Sequence, residues 1–385
     1  MIATSPKLKS MLEGLIATPS ISSVEPAHDQ GNLQVIQLLA NWLDGLGFHC
    51  DILPLPNNPD KANLIATLGD GPGGLVLAGH TDTVPYDEGR WKHDPFKLTE
   101  QDNRFYGLGT SDMKSFLGLA IEAAKGFAVK DFKQPLIILA TADEESSMDG
   151  ARELVRLGKP KARYAIIGEP TGLKPVRAHK GMMMEGIRLI GRAGHSSDPA
   201  LGNNALEGMH KVIGTILAWQ TELQMQNQNP LFHVPYPTIN LGHIHGGDNP
   251  NRICGECELF IDLRPLPGMD ITALQQELEW RINNTIKATG LNLEIRHLMQ
   301  GVKAMETALD SQIVRSAEKL TKHNAEAAAY STEAPFLAEL GLETIVLGPG
   351  QIAQAHQPDE YLLLDSIKPM VNILQQFIRQ FCLSK

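Results

Sequence analysis

Apolar residues recur at helical spacing over 31–48 and stop at glycine, which predicts an amphipathic helix. Near-continuous apolar runs follow at 63–69, 74–80, 135–142 and 164–170. Runs of this kind predict strands covered on both faces. Helical patterns at 114–127 and 147–158 separate the last three, so strand and helix alternate. That alternation predicts a mostly parallel sheet packed between helices. The middle of the chain reads differently. Half-exposed strands are expected at 184–193 and 257–265, and helices at 203–225 and 271–288. Two helices on an antiparallel sheet make an α+β unit. From about residue 310 the first pattern resumes, with a helix, an apolar run at 343–350 and a closing helix at 363–383. The expected fold class is therefore α/β. A sheet domain over 1–181 and 293–385 is interrupted by an inserted α+β domain over 182–292.

Composition narrows the function. The 385 residues allow two domains. Lys+Arg 34 against Asp+Glu 44 gives a net charge of −10, without any basic run. This argues against nucleic acid or an anionic membrane surface as a partner. No apolar run approaches the ~20 residues that a spanning helix needs. Residues 1–20 pattern as the start of an amphipathic helix rather than a signal peptide. Four cysteines are too few for a disulfide scaffold, which favours a cytoplasmic chain. Cys254 and Cys257 form a C-x-x-C without the second pair that a zinc site would need, and read as two ordinary cysteines beside a strand.

The chemistry gathers at strand ends. One run ends in His80, with Asp82 two residues on. Another leads into Asp143, Glu144 and Glu145, and a third into Glu169. The run at 343–350 leads to a loop carrying His356 and Asp359. Open α/β sheets bind ligands outside the carboxyl ends of their strands, so parallel neighbours would bring these groups together. Histidine and carboxylate without thiolate suits a divalent metal, most often zinc or cobalt. Two histidines and several carboxylates exceed the needs of one tetrahedral ion, so two ions are expected. Residues i and i+2 of an extended chain face one way, so Asp82 is placed to take the free ring N–H of His80. The adjacent Glu144 and Glu145 cannot point alike, which leaves one for metal and one as a base. Each group alone has a plainer reading: a satisfied polar residue, or a helix N-terminus for the Glu pair. Asp112 reads as a helix N-cap, His195 as a loop histidine, and Met182, Met183 and Met184 as packing. The glycines of 107-GLGTSDMKS-115 lack the context of a nucleotide loop, and no G-x-S-x-G elbow is present.

In order along the chain stand GHTDTVP (79–85), GLGTSDMK (107–114), TADEE (141–145), GEPT (168–171), GRAGHSSDP (191–199), DLRPLPG (262–268) and GPG (348–350) through HQPDE (356–360). This series resembles the dinuclear zinc amidohydrolases that include aminoacylase, glutamate carboxypeptidase and succinyl-diaminopimelate desuccinylase. The resemblance covers nearly the whole chain. It departs at Ser115, where the family's D-M-K is usually followed by glycine. It implies that His80 and Glu169 hold one metal, that Glu145 and His356 hold the other, and that Asp112 bridges them. It implies Asp82 as orienter of His80 and Glu144 as general base, acting with a metal-bridging hydroxide. Asn251, Arg264 and Thr332 would surround an N-acyl amino acid, with Arg264 on its carboxylate. His195 would reach a partner's site from the inserted lid domain of a homodimer. RAHKG (177–181), PYPTINLGHIHGGD (235–248) with NRIC (251–254), and YSTEAP (330–335) resemble the branch that hydrolyses N-acetyl-L-ornithine to ornithine and acetate in arginine synthesis. A cationic side chain needs an acceptor, and Glu333 is the candidate. The alternatives are the same chemistry on succinyl-diaminopimelate or another N-acyl amino acid, a non-catalytic zinc scaffold, and a dehydrogenase, which lacks its glycine fingerprint.

Overall fold

The computed structural model describes residues 6–383, so the first residues of the expected N-terminal helix lie outside it. The chain forms two compact units. One comprises the chain up to Arg177, Thr307–Glu326, and the chain from Thr332 onward. The other is Ala178–Glu306 with Ala327–Ser331. Their main sheets are built from β1 (His49–Leu55), β2 (Asn58–Leu68), β3 (Leu75–His80), β4 (Leu136–Thr141), β5 (Tyr164–Ile167), β6 (Met183–Ile190), β7 (Thr238–Gly246), β8 (Glu256–Arg264), β9 (Asn292–His297) and β10 (Glu343–Val346).

In the first unit the strand order is β1-β2-β4-β3-β5-β10. The last four are parallel neighbours, whereas β1 and β2 join antiparallel at one side. Every residue of β3, β4 and β5 is buried, as two covered faces require. The helix Lys114–Ala124 is apolar nearly all round and buried along its length. Its Phe116 lies directly against Gly168, where a Cβ would come within 1.9 Å of the ring. Glycine there lets the helix seat against the end of β5, one residue before Glu169. Burying a Phe of this kind is worth roughly 1.5–3 kcal/mol.

The second unit is an antiparallel sheet in the order β7-β8-β6-β9. Burial alternates along β8, so one face is packed and one is solvated. The packed face carries two long helices, Ala205–Gln226 and Ile271–Ile286. The second buries Ile271, Leu274, Leu278, Ile282 and Ile286, a helical stripe. Asn204 and Asp270 cap their N-termini through side-chain oxygens. Cys254 and Cys257 are free, buried, and part of this core. Among the described residues no helix is long and apolar enough to cross a membrane.

Candidate active site

The parallel order of β4, β3, β5 and β10 puts their carboxyl ends side by side, and the polar groups that follow them meet there. His80 closes β3 and is fully buried. Its Nε2 lies 3.1 Å from Asp112 Oδ1 and 3.7 Å from Glu169 Oε1. Asp112 comes from the loop before the helix Lys114–Ala124, and Glu169 follows β5. Across the same cluster, His356 Nε2 lies 3.0 Å from Glu145 Oε2 and 3.5 Å from Asp112 Oδ2. Two sets of groups lie close enough to hold an ion: His80, Glu144 and Glu169, and His80, Asp112 and Glu145. The neighbours Glu144 and Glu145 thus diverge into different sets.

The backbone explains that divergence. Asp143 has φ +61°, the left-handed region that turns the chain sharply after β4. Its carboxylate points elsewhere and accepts from Lys61 Nζ and, at 2.8 Å, from Ser22 Oγ. Lys61 also bonds Asp29, so this ion pair secures the turn just before Glu144.

At His80 the detail differs from the sequence expectation. The group facing Nδ1 is the main-chain carbonyl of Asp82 at 3.0 Å, while the Asp82 carboxylate stands 3.7 Å away. That carboxylate accepts instead from the main-chain N–H of Glu145 at 3.0 Å. It ties the β3 end to the loop after β4, and its Oδ1 is buried without a partner.

The electrostatics is that of crowded like charges kept from water. Burial, then the Glu169 charge, pushes the Glu144 carboxyl well above the ordinary range. Burial and Asp112 do the same to Glu169. Burial and Asp112 also raise Glu145, against the pull of His356. Asp112 goes the other way: burial would raise it, but His80 and His356 hold it down. Burial opposes a charged His80 ring, yet Asp112, Glu169, Asp82 and Glu144 outweigh it and keep the ring well above its usual value. The Glu145 hydrogen bond leads in raising His356 to about 9. Four carboxylates facing two imidazoles, without thiolate, fit divalent cations in both charge and donor type.

The remaining candidates fall in two groups. Thr332 and Glu333 belong to the first unit and are buried. Thr332 Oγ1 accepts from the Ala334 N–H. Glu333 precedes the helix Ala334–Glu339 without a side-chain capping bond. Its Oε2 accepts from Thr141 Oγ1 at 2.8 Å, its Oε1 is buried without a partner, and burial pushes it up to about 7. His195, Asn251 and Arg264 belong to the second unit. His195 is exposed and shares a 2.8 Å hydrogen bond with Ser197 Oγ. Asn251 is exposed, and its carbonyl accepts from the Ser196 N–H. Arg264 pairs with Asp262 at 2.9 Å.

Two groups that the sequence reading did not assign also shape the site. One is the Lys61–Asp143 pair. The other is Glu360, whose buried carboxylate accepts from main-chain N–H groups of the loop that carries Asp112. The HQPDE run holds the only signal for Glu360, an acidic residue four positions after a metal-type histidine.

A parallel sheet edge that gathers histidines and carboxylates in this way, read with the comparisons that follow, defines a metal-dependent hydrolase. The chain matches the model of Peptidase family M20/M25/M40 over residues 76–380. It is 51% identical to the acetylornithine deacetylase of Edwardsiella ictaluri over 377 residues, 98% of each chain. It is 48% identical to that of Pasteurella multocida over the same length and shares. Among solved structures it is similar to an M20 family metallo-carboxypeptidase from Sulfolobus solfataricus, with TM-score 0.77 and 19% identity over 97% of this chain and 99% of that one. A dinuclear metal-binding M20 peptidase from Bacillus subtilis aligns with TM-score 0.65 and 13% identity, over 96% and 97%. This protein belongs to peptidase family M20/M25/M40.

Proposed function

We propose that the chain hydrolyses the amide bond of N-acetyl-L-ornithine to L-ornithine and acetate, as a cytoplasmic homodimer. The observation that carries the chemistry is the cluster of four buried or half-buried carboxylates around the buried His80 and the exposed His356. The substrate rests on 48–51% identity along 98% of relatives that bear that activity in their names. In this reading two divalent ions, zinc or cobalt, are the cofactors. His80 and Glu169 would hold one, Glu145 and His356 the other, with Asp112 between them. Ions bound there lower the pKa of water from ~15.7 toward ~7 and polarise an acyl carbonyl.

The protein's own groups do the rest. Glu144 takes a proton from the attacking water and returns it to the leaving amine. Asp82 holds the loop of Glu145 against the end of β3, and its carbonyl fixes the His80 ring. Arg264 takes the substrate carboxylate, with Asn251 and Thr332 beside it. Glu333 accepts the cationic side chain through its free oxygen. The partner subunit's His195 steadies the oxyanion. The dimer forms through the second unit.

Initial rates on acetyl-ornithine, succinyl-diaminopimelate and acetyl-methionine test this. The highest kcat/KM is expected for acetyl-ornithine. A preference for succinyl-diaminopimelate would move the chain to the desuccinylase chemistry. Glu333→Gln is expected to narrow the preference for acetyl-ornithine over neutral acetyl-amino acids. An unchanged preference would remove Glu333 from side-chain reading.

A further inference from the structure

We propose that Glu360 is a positioning residue, which clamps the Asp112 loop to the His356 loop so that these two ligands meet the same ion. The inference rests on the two-metal reading above. Glu360 is 1% exposed and closes the loop that begins at His356. Its Oε2 accepts from the Gly109 N–H at 3.0 Å. Its Oε1 accepts from the N–H groups of Ser111 at 2.6 Å and Asp112 at 2.9 Å. Its own carbonyl accepts from the Gly107 N–H at 3.1 Å. One residue therefore satisfies four main-chain donors of the segment 107–112, including that of Asp112 itself.

The neighbouring residues hold the clamp from behind. Asp359, at φ +56°, turns its carboxylate the opposite way and accepts from the N–H groups of Lys92 and His93. Directly after Glu360, the strand Tyr361–Leu363 pairs with Arg104–Tyr106. The loop carrying His356 is thus fastened to the rest of the unit at three successive positions. Asp112 and His356 are 244 positions apart in the chain, yet here they are held through one carboxylate. A carboxylate is needed because three N–H groups converge on it, and a hydroxyl or apolar group would leave buried donors unmet.

Without the clamp both loops slacken. The ion between Glu145 and His356 would lose two fixed ligands. The ion between His80 and Glu169 would lose only the bridging one. Removal of a group that orients ligands typically weakens metal binding about 10–100-fold. The test is calorimetric titration of metal-stripped protein with Co2+, for wild type, Glu360→Met and Glu360→Gln. Met keeps the bulk and removes every acceptor, whereas Gln keeps one acceptor oxygen. Two Co2+ per wild-type chain are expected. Glu360→Met should bind one ion near wild-type affinity and the other about 10–100-fold more weakly, with Glu360→Gln between them. Equal weakening of both ions, in step with a lower melting temperature, would mean a merely structural role and overturn the proposal. Wild-type affinities in Glu360→Met would do so too. If Glu360→Met does not fold, Glu360→Gln decides by the same selective loss. Wild-type protein that binds no Co2+ overturns the two-metal reading together with this one, whereas two ions bound with unchanged affinities in wild type and Glu360→Met overturn the clamp alone.

Discussion

The two units put their charges to opposite use. On the antiparallel sheet of the second unit, opposite charges meet near solvent. Arg188 lies between Glu256 and Glu294, and Arg296 pairs with Glu258. Each cation there has its anion, and exposed pairs of this kind are worth little. On the parallel edge of the first unit, Asp112, Glu144, Glu145 and Glu169 crowd around two histidines, largely away from water. Uncompensated burial of charge costs several kcal/mol per ion. Burial combined with an excess of one sign is what separates a site from a surface, and it asks for cations. The number of ionic contacts alone would not distinguish the two regions.

The comparison breaks most sharply at Glu144. If it is the base among ligands, Glu144→Ala keeps two ions yet loses about 10³-fold or more in rate, the upper part of the general-base range. Metal analysis beside initial rates checks this, and near-normal turnover with both ions bound would refute it. Next comes His195, which is exposed and, among the described residues, bonded only within its own unit. Its loss is expected to cost about 10²–10³-fold, as for an oxyanion donor. Co-expression of His195→Ala with Glu144→Ala separates action across the dimer from action within one chain. In the first case the heterodimer regains one working site of its two. In the second it stays dead, because each site lacks one group.

The sequence pattern reveals these regions unequally, for physical reasons. The strands β3, β4 and β5 are buried on both faces, so their apolar runs are plain and their polar ends stand out. The strands β1, β7 and β9 escape the hydrophobic pattern. Each is at the edge of a sheet and half solvated, so polar residues interrupt it. The parallel order β4-β3-β5-β10 is likewise hidden, because it depends on pairings between distant segments. His80, Glu144, Glu145, Glu169 and His356 are legible as strand-end groups. Asp112 stands out only through the family resemblance, since alone it reads as a cap. Glu360 and Lys61 are illegible because their partners are main-chain donors or residues far along the chain.

A smaller effect follows from proton binding at the crowded edge. Glu144, Glu145, Glu169 and His80 are raised, and His356 is raised to about 9. A group whose folded value is raised stabilises the fold below its unfolded value, about 4.5 for Glu and 6.5 for His. That contribution is lost as pH rises through the folded value. Metal binding needs the same groups free of protons. Both effects act in one direction, so the gap in melting temperature between metal-loaded and metal-stripped protein should widen from pH 5 toward pH 9. Thermal melts at fixed Co2+ check it. A gap that narrows with pH would mean that these groups do not hold the metal.

The smallest effect belongs to the second unit. Arg188 stands on the central strand β6, opposite Glu258 on β8 and Glu294 on β9. It reaches Glu256 at 2.6 Å and Glu294 at 3.1 Å, with its side chain 39% exposed. These bonds are short and charge-assisted, and by contact geometry they rival those around His80. The difference is that water solvates both glutamates when the guanidinium is gone, so neither is left buried and unpaired. Arg188→Ala should therefore lower the melting temperature by about 2 °C or less, since exposed pairs contribute little and a domain of this size dilutes each increment. It should leave Co2+ uptake unchanged. Melting curves and metal titration of the variant measure both. A fall well beyond that, or loss of an ion, would show that the charges of the second sheet matter as those of the first do and would erase the contrast between the two units.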